Sequence, residues 1–301
     1  MMSTSPRQGY VLGLTAYALW GLFPLYFKLL ASIPPVEILI QRIFWSALIG
    51  VLLLLIWKHQ GWWRDLRANP SRIARLWLSG LLVGGNWLTY IWAVNSNHVI
   101  EASLGYYINP LINVLLGMVV LGERLRPLQW LAVGMAALGV AQQIWTLGQL
   151  PWVSLVLAFS FAFYGLVRKG TQVAALPGMV VETWLLVPLA AIALPLLTQQ
   201  VSLDPALWQS PMAIVLILSG PVTLVPLLCF NAAARKLPYS TLGFLQYLAP
   251  TLVLIQAVFL FHEPFPMERM AAFLCIWAGL AVFSFDAWRS LRRYAAPSAR
   301  T

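Results

Sequence analysis

Arg42 lies inside an apolar tract with Glu37 five residues before it, and Glu182 lies inside a second such tract. An arginine in hydrocarbon costs roughly 2.5–3.5 kcal/mol unless water or a partner meets it. Arg42 is therefore expected to point into a protein interior, where its planar fork could hold the carboxylate or phosphate of an anionic or zwitterionic ligand. The alternatives are pairing with Glu37 or Glu182, or snorkelling to the outer interface. Glu182 reads either as a proton carrier or as half of a structural ion pair, and both acids are kept as coupling or ion-pair candidates.

Asn86, Tyr90, Tyr106, Asn109, Gln246 and Tyr247 add amides and phenols suited to hydrogen bonding and ring contact. Asn86 and Tyr90 are four apart and Tyr106 and Asn109 three apart, so each pair shares a helix face. These six are the further candidates for solute binding; the competing roles are amides that bridge helices and aromatics that form interface belts. The chemistry is recognition rather than catalysis. Cys229 and Cys275 have neither pairing nor metal spacing, and His59, His98 and His262 are far apart, so no metal, cofactor or triad is expected. No phosphate-loop motif is present, so any active movement would draw on a solute or ion gradient.

These side chains must be carried by membrane helices. Hydrophobic residues make up 60% of the 301 and charged residues 9%, against roughly 25% charged in soluble domains. Ten apolar runs can be marked off as spans: 9–30, 36–57, 73–94, 102–121 and 128–147, then 152–167, 179–197, 212–231, 239–261 and 270–286. The expected fold is all-α, a polytopic bundle of ten transmembrane helices, with the first run a retained helix rather than a cleaved leader. Threading with a cytoplasmic N-terminus leaves all but Lys28, Arg42 and Arg269 of the 19 basic residues inside, which places both termini in the cytoplasm. The net charge of +10 is thereby assigned to topology rather than to nucleic acid.

Tyr107, Pro110, Glu123, Ala132 and Gly139 recur at a constant offset of 140 as Tyr247, Pro250, Glu263, Ala272 and Gly279. Two five-span units follow, residues 1–147 and 148–301, and an odd span number inverts the second relative to the first. Pro110 and Pro250 each delete a backbone donor at equivalent places and are predicted hinges, with a static bend the alternative. A central cavity faced by the third, fourth and ninth helices, with the first, second and seventh opposite, is the resulting expectation. Gly80, Gly84 and Gly85 mark a close-packing face, and Glu123 and Glu263 read as anchors at membrane borders.

The run EASLGYYINPLIN from Glu101 to Asn113, continuing to LGERL at 121–125, resembles the EamA domain of the drug/metabolite transporter superfamily. GLFPLY at 21–26, QRIFWS at 41–46, YGLVRK at 164–169, VET at 181–183 and QYLAPT at 246–251 are similar to its RarD subgroup, sometimes labelled chloramphenicol-sensitive protein. The resemblance implies two EamA repeats, a bacterial inner-membrane location and alternating-access movement of a small molecule, here expected to be export of a polar or amphipathic organic solute. The expected partners are that solute and the bilayer, with a homodimer left open. A non-transporting receptor or assembly subunit would keep the bundle without a continuous cavity. An intramembrane enzyme would need a cluster of His, Asp or Ser across helices.

Overall fold

The computed structural model describes residues 6–30, 32–57, 61–95, 99–147, 152–260 and 270–295. Regular structure among them is helical: α1 (Pro6–Gly21), α2 (Phe23–Leu29), α3 (Pro35–Ile56), α4 (Trp62–Arg67), α5 (Pro70–Asn95), α6 (Val99–Val119) and α7 (Pro127–Leu147). There follow α8 (Trp152–Gly170), α9 (Ala175–Leu197), α10 (Pro205–Trp208), α11 (Met212–Ala234), α12 (Tyr239–Leu245), α13 (Leu248–Ile255) and α14 (Met270–Ala295). A 3-10 turn, Val201–Leu203, precedes α10, and a π turn, Gln256–Leu260, extends α13.

Seven stretches among the described residues are long and apolar enough to cross a membrane: Arg7–Leu29, Pro35–Ile56, Trp152–Gly170, Ala175–Leu197, Met212–Ala234, Tyr239–Leu260 and Met270–Arg289. Their outward sides carry exposed Leu55, Ile56, Leu196, Ile214 and Leu274, which in water would be an aggregation surface and in lipid are solvated. The three other expected spans coincide with α5, α6 and α7. They fall short of seven-stretch apolarity for visible reasons. Arg72, Arg75 and Asn86 dilute α5, Gln129, Gln142 and Gln143 dilute α7, and the described apolar part of α6 is only Leu104–Val119.

The expected pair of proline hinges takes two different forms. α6 runs unbroken through Pro110. Around Pro250, the chain instead breaks between α12 and α13, because the ring of Pro250 crowds the carbonyl four residues earlier, that of Gln246. The break tightens to three-residue bonds, from Gln246 to Gly243, Tyr247 to Phe244 and Ala249 to Gln246. A second break, at Leu22 between α1 and α2, lies just before Pro24. The two interruptions touch. Gly21 packs against Leu252 and the Ala249 carbonyl, and Gln256 Nε2 donates to the Gly21 carbonyl at 2.6 Å.

α7 and α14 pack antiparallel in a contact that small residues make possible. A Cβ on Gly139 would stand 2.7 Å from the Ala272 carbonyl oxygen, and one on Gly279 would stand 2.8 Å from that of Ala132. The other main packings are α1 on α11 and α13, α3 on α9 and α11, α5 on α8 and α9, and α6 on α8 and α12. Gly80 and Gly84 admit α9 at Glu182 and Leu186 respectively, while Gly85 faces open space.

Candidate functional site

Arg42 is 8% exposed, two turns into α3. The helix starts cleanly because Pro35 occupies its first position, where no backbone donor is needed. The Arg42 Nε donates to Thr223 Oγ1 of α11 at 2.9 Å, and Thr223 in turn donates to the Ser219 carbonyl at 2.7 Å. Aromatic rings surround the guanidinium, with Trp87 of α5 at 4.9 Å and Phe27 and Phe23 of α2 at 5.3 and 5.8 Å. Cation–π attraction of this kind is worth about 2 kcal/mol when desolvated, so it offsets part of the burial cost. The phenols of Tyr26, Tyr90 and Tyr106 lie within electrostatic range. Among the described residues no carboxylate pairs with Arg42.

Tyr106 of α6 is 39% exposed although its neighbours Tyr107, Ile108 and Asn109 are buried. Its ring meets Tyr90 edge to face at 5.8 Å. Tyr106 thus lies within electrostatic range of a buried arginine while being partly exposed itself. The neighbourhood of Arg42 holds a cation, a ring cage and phenol hydroxyls. Such a constellation can bind an anionic group beside an apolar or aromatic body, and it contains no nucleophile–base pair.

The amides are engaged elsewhere. Asn86 Nδ2 donates to the Leu157 carbonyl and to Ser160 Oγ, at 2.9 and 2.8 Å, joining α5 to α8. Asn109 Nδ2 donates to the Ala158 carbonyl at 2.5 Å, and Asn113 Nδ2 donates to Asn109 Oδ1 and Gln246 Oε1, both at 3.1 Å. Asn109, Asn113 and Gln246 thus bind α6 to α8 and to the α12–α13 break. Tyr247 is fully buried, stacks on Tyr107 at 6.5 Å and donates to the Tyr107 carbonyl at 3.2 Å. The structure therefore brings Arg42, Tyr90 and Tyr106 together and places Asn86, Asn109, Gln246 and Tyr247 in helix contacts.

The two acids are equally specific. Glu37 accepts from the Val201 and Ser202 amides at 3.2 and 2.5 Å, so its carboxylate fixes the turn after α9 and leaves Arg42 alone. Glu182, 2% exposed, pairs with Arg168 Nε at 3.3 Å and accepts a short hydrogen bond from Ser79 Oγ. Arg168, which the topological reading above counted among the cytoplasmic basic residues, is part of a helix. It is 4% exposed in the last turn of α8. Glu123 accepts from the Tyr239 and Ser240 amides at 2.5 and 2.9 Å, capping the start of α12 from another helix pair. Glu263 lies outside the described residues.

Phe23, Tyr26, Phe27 and Thr223 were not singled out from sequence. The three aromatics fall within one turn of each other, a signal that only a neighbouring charge would have made readable. Thr223 had no signal, being one hydroxyl in a long apolar helix.

The EamA-like transporter family matches residues 7–142. An uncharacterized transporter of Pseudomonas aeruginosa is 66% identical over 99% of this chain and 100% of its own. Protein RarD of Escherichia coli is 49% identical over 97% of this chain and 99% of its own. One crystal structure shares the fold with a TM-score of 0.70, at 22% identity over 93% of this chain and 98% of that one.

Proposed function

We propose, starting from the fact that this chain belongs to the EamA-like transporter family in its RarD branch, that it moves a small anionic or zwitterionic organic solute across the bacterial inner membrane by alternating access, in the export direction. The observation that carries this reading is the buried Arg42, ringed by Phe23, Phe27 and Trp87, paired with no described carboxylate and adjoining the open Tyr106. A guanidinium so placed has strong attraction to offer an arriving anion, and its aromatic walls suit an amphipathic body.

The bundle in this reading is ten spans in two inverted units, 1–147 and 148–301, with both termini cytoplasmic. At 1.5 Å per residue, α5 is ~39 Å long and α6 and α7 ~31 Å, each enough for a hydrocarbon core. Packing supports the inversion. The reciprocal approach of Gly139 to Ala272 and of Gly279 to Ala132 is what a two-fold axis between equivalent helices produces. The same exchange turns the α1–α11 contact into α8–α5, α3–α11 into α9–α5, and α6–α8 into the contact of α12–α13 with α1. The touching interruptions at Leu22 and Gln246 belong to the broken helices that inverted-repeat transporters use near their sites.

Counterflow by purified protein in liposomes, against amino acids, organic acids and amphipathic drugs, tests the proposal. Exchange of at least one anionic or zwitterionic solute that Arg42→Ala strongly weakens is the expected result. Equal exchange by Arg42→Ala, or exchange confined to cations, overturns it.

A further inference from the structure

The cavity that the bundle presents away from Arg42 is a groove of about 680 Å³ between α3, α4 and α9. Leu54 and Leu55 of α3, Trp62 and Leu66 of α4, and Val180 and Leu185 of α9 line it, and every other lining residue is also apolar. With only indole nitrogens for polarity, it has nothing to orient a polar metabolite. It is open to the side on which Leu55 and Trp184 are exposed, which for this bundle is the lipid side.

Its mouth is basic. Between Arg64 and Arg75 the sequence holds four basic residues and a single acid, Asp65. α4 is swung across the helix ends by Gly61, whose φ of +80° is a left-handed turn that a side chain would strain. Arg64 and Arg67 of α4 are exposed. The guanidinium of Arg67 lies 4.9 Å over the ring of Trp63, itself a lining residue, so a cation is held at the lip of the groove. Trp62 and Trp63 of α4 line the groove beside these cations, and indoles favour the headgroup boundary.

An apolar slot open to lipid with cations and indoles at its mouth fits a single kind of occupant in both its parts. The geometry points to a resident anionic phospholipid, with an acyl chain in the groove and its phosphate at Arg64 and Arg67. The groove floor is the α3–α9 contact, where Val180 fits against Gly50, and these are the helices that carry Arg42 and Glu182. The lipid therefore braces the contact between those two helices. The inference requires only that the chain is embedded in a membrane, and it stands or falls apart from solute transport.

The test is native mass spectrometry and thermal unfolding of the purified full chain titrated with dioleoylphosphatidylglycerol or dioleoylphosphatidylcholine. The expected result is one retained phosphatidylglycerol favoured roughly tenfold over phosphatidylcholine, with that preference lost in Arg64→Gln/Arg67→Gln. Leu55→Trp, which fills the slot from its exposed side, should lose retention of both lipids while unfolding at the wild-type temperature in detergent alone. Equal retention of the two lipids, preference unchanged in the double variant, or a groove covered by a second copy of the chain in lipid-free detergent would overturn the proposal.

Discussion

Arg42 and Glu182 occupy the same station in two helices: each lies eight residues beyond the residue that caps its helix, Pro34 for α3 and Ala174 for α9. The caps share an extended backbone, with φ and ψ of −55° and 136° at Pro34 and −56° and 151° at Ala174. The separation is the 140-residue offset of the repeated motifs. Charge is what differs. Glu182 has a guanidinium partner in Arg168, whereas Arg42 has a threonine and three rings. One station carries a described counter-charge and the other does not.

Replacing Arg42 with Lys separates charge from shape. Lysine retains the positive charge but loses the planar fork and its stacking on Trp87, Phe27 and Phe23. Hydrogen bonds to a charged group are worth about 1.5–3 kcal/mol, so solute affinity should fall by roughly 10–100-fold in both Arg42→Ala and Arg42→Lys. Isothermal titration or counterflow competition measures this, and full affinity in Arg42→Lys would reduce the site to a point charge.

The Arg168–Glu182 pair should reveal itself through non-additivity. Glu182→Gln leaves a 4%-exposed guanidinium without its counter-charge, a loss of about 3–5 kcal/mol. Arg168→Met alone strands Glu182 with Ser79 and should cost a similar amount. The double variant Arg168→Met/Glu182→Met should be markedly less destabilised than the two losses together, as read by denaturant unfolding in detergent. Additive losses would mean the two groups act independently.

Gly139 and Gly279 should respond alike. Alanine at either place sets a methyl against a backbone carbonyl that cannot swing aside. A destabilisation of about 1–3 kcal/mol is expected for each, the usual range for overpacking. Unequal effects, one large and one absent, would argue that the α7–α14 contact lacks the two-fold relation proposed above.

Element identity was largely legible because hydrophobic runs of this length have few competing structures. Burial of Arg42 followed from the cost of a charge in hydrocarbon, whereas helix spacing paired Tyr90 with Asn86 and Tyr106 with Asn109, amides that bond to α8 instead. What surrounds Arg42 was not legible, since α2, α5 and α11 meet it from positions distant in sequence. The amides illustrate the same limit. Nothing local distinguishes an Asn109 that lines a cavity from one that donates to the Ala158 carbonyl. The prolines looked equivalent at their offset, yet α6 stays continuous at Pro110, clamped by bonds to α8 and α12–α13. At Pro250 the strain is released as a break.

The central claim is a wettable passage reached from either face in turn, and Tyr106 is the residue that reports on it. In a background of Cys229→Ser and Cys275→Ser, Tyr106→Cys can be labelled with a membrane-impermeant maleimide in right-side-out and in inverted vesicles. The account predicts labelling in both preparations, with Tyr107→Cys, at a position that is 5% exposed, unreactive in each. Tyr106→Cys that stays unlabelled in both, or reacts from one face only, would contradict it.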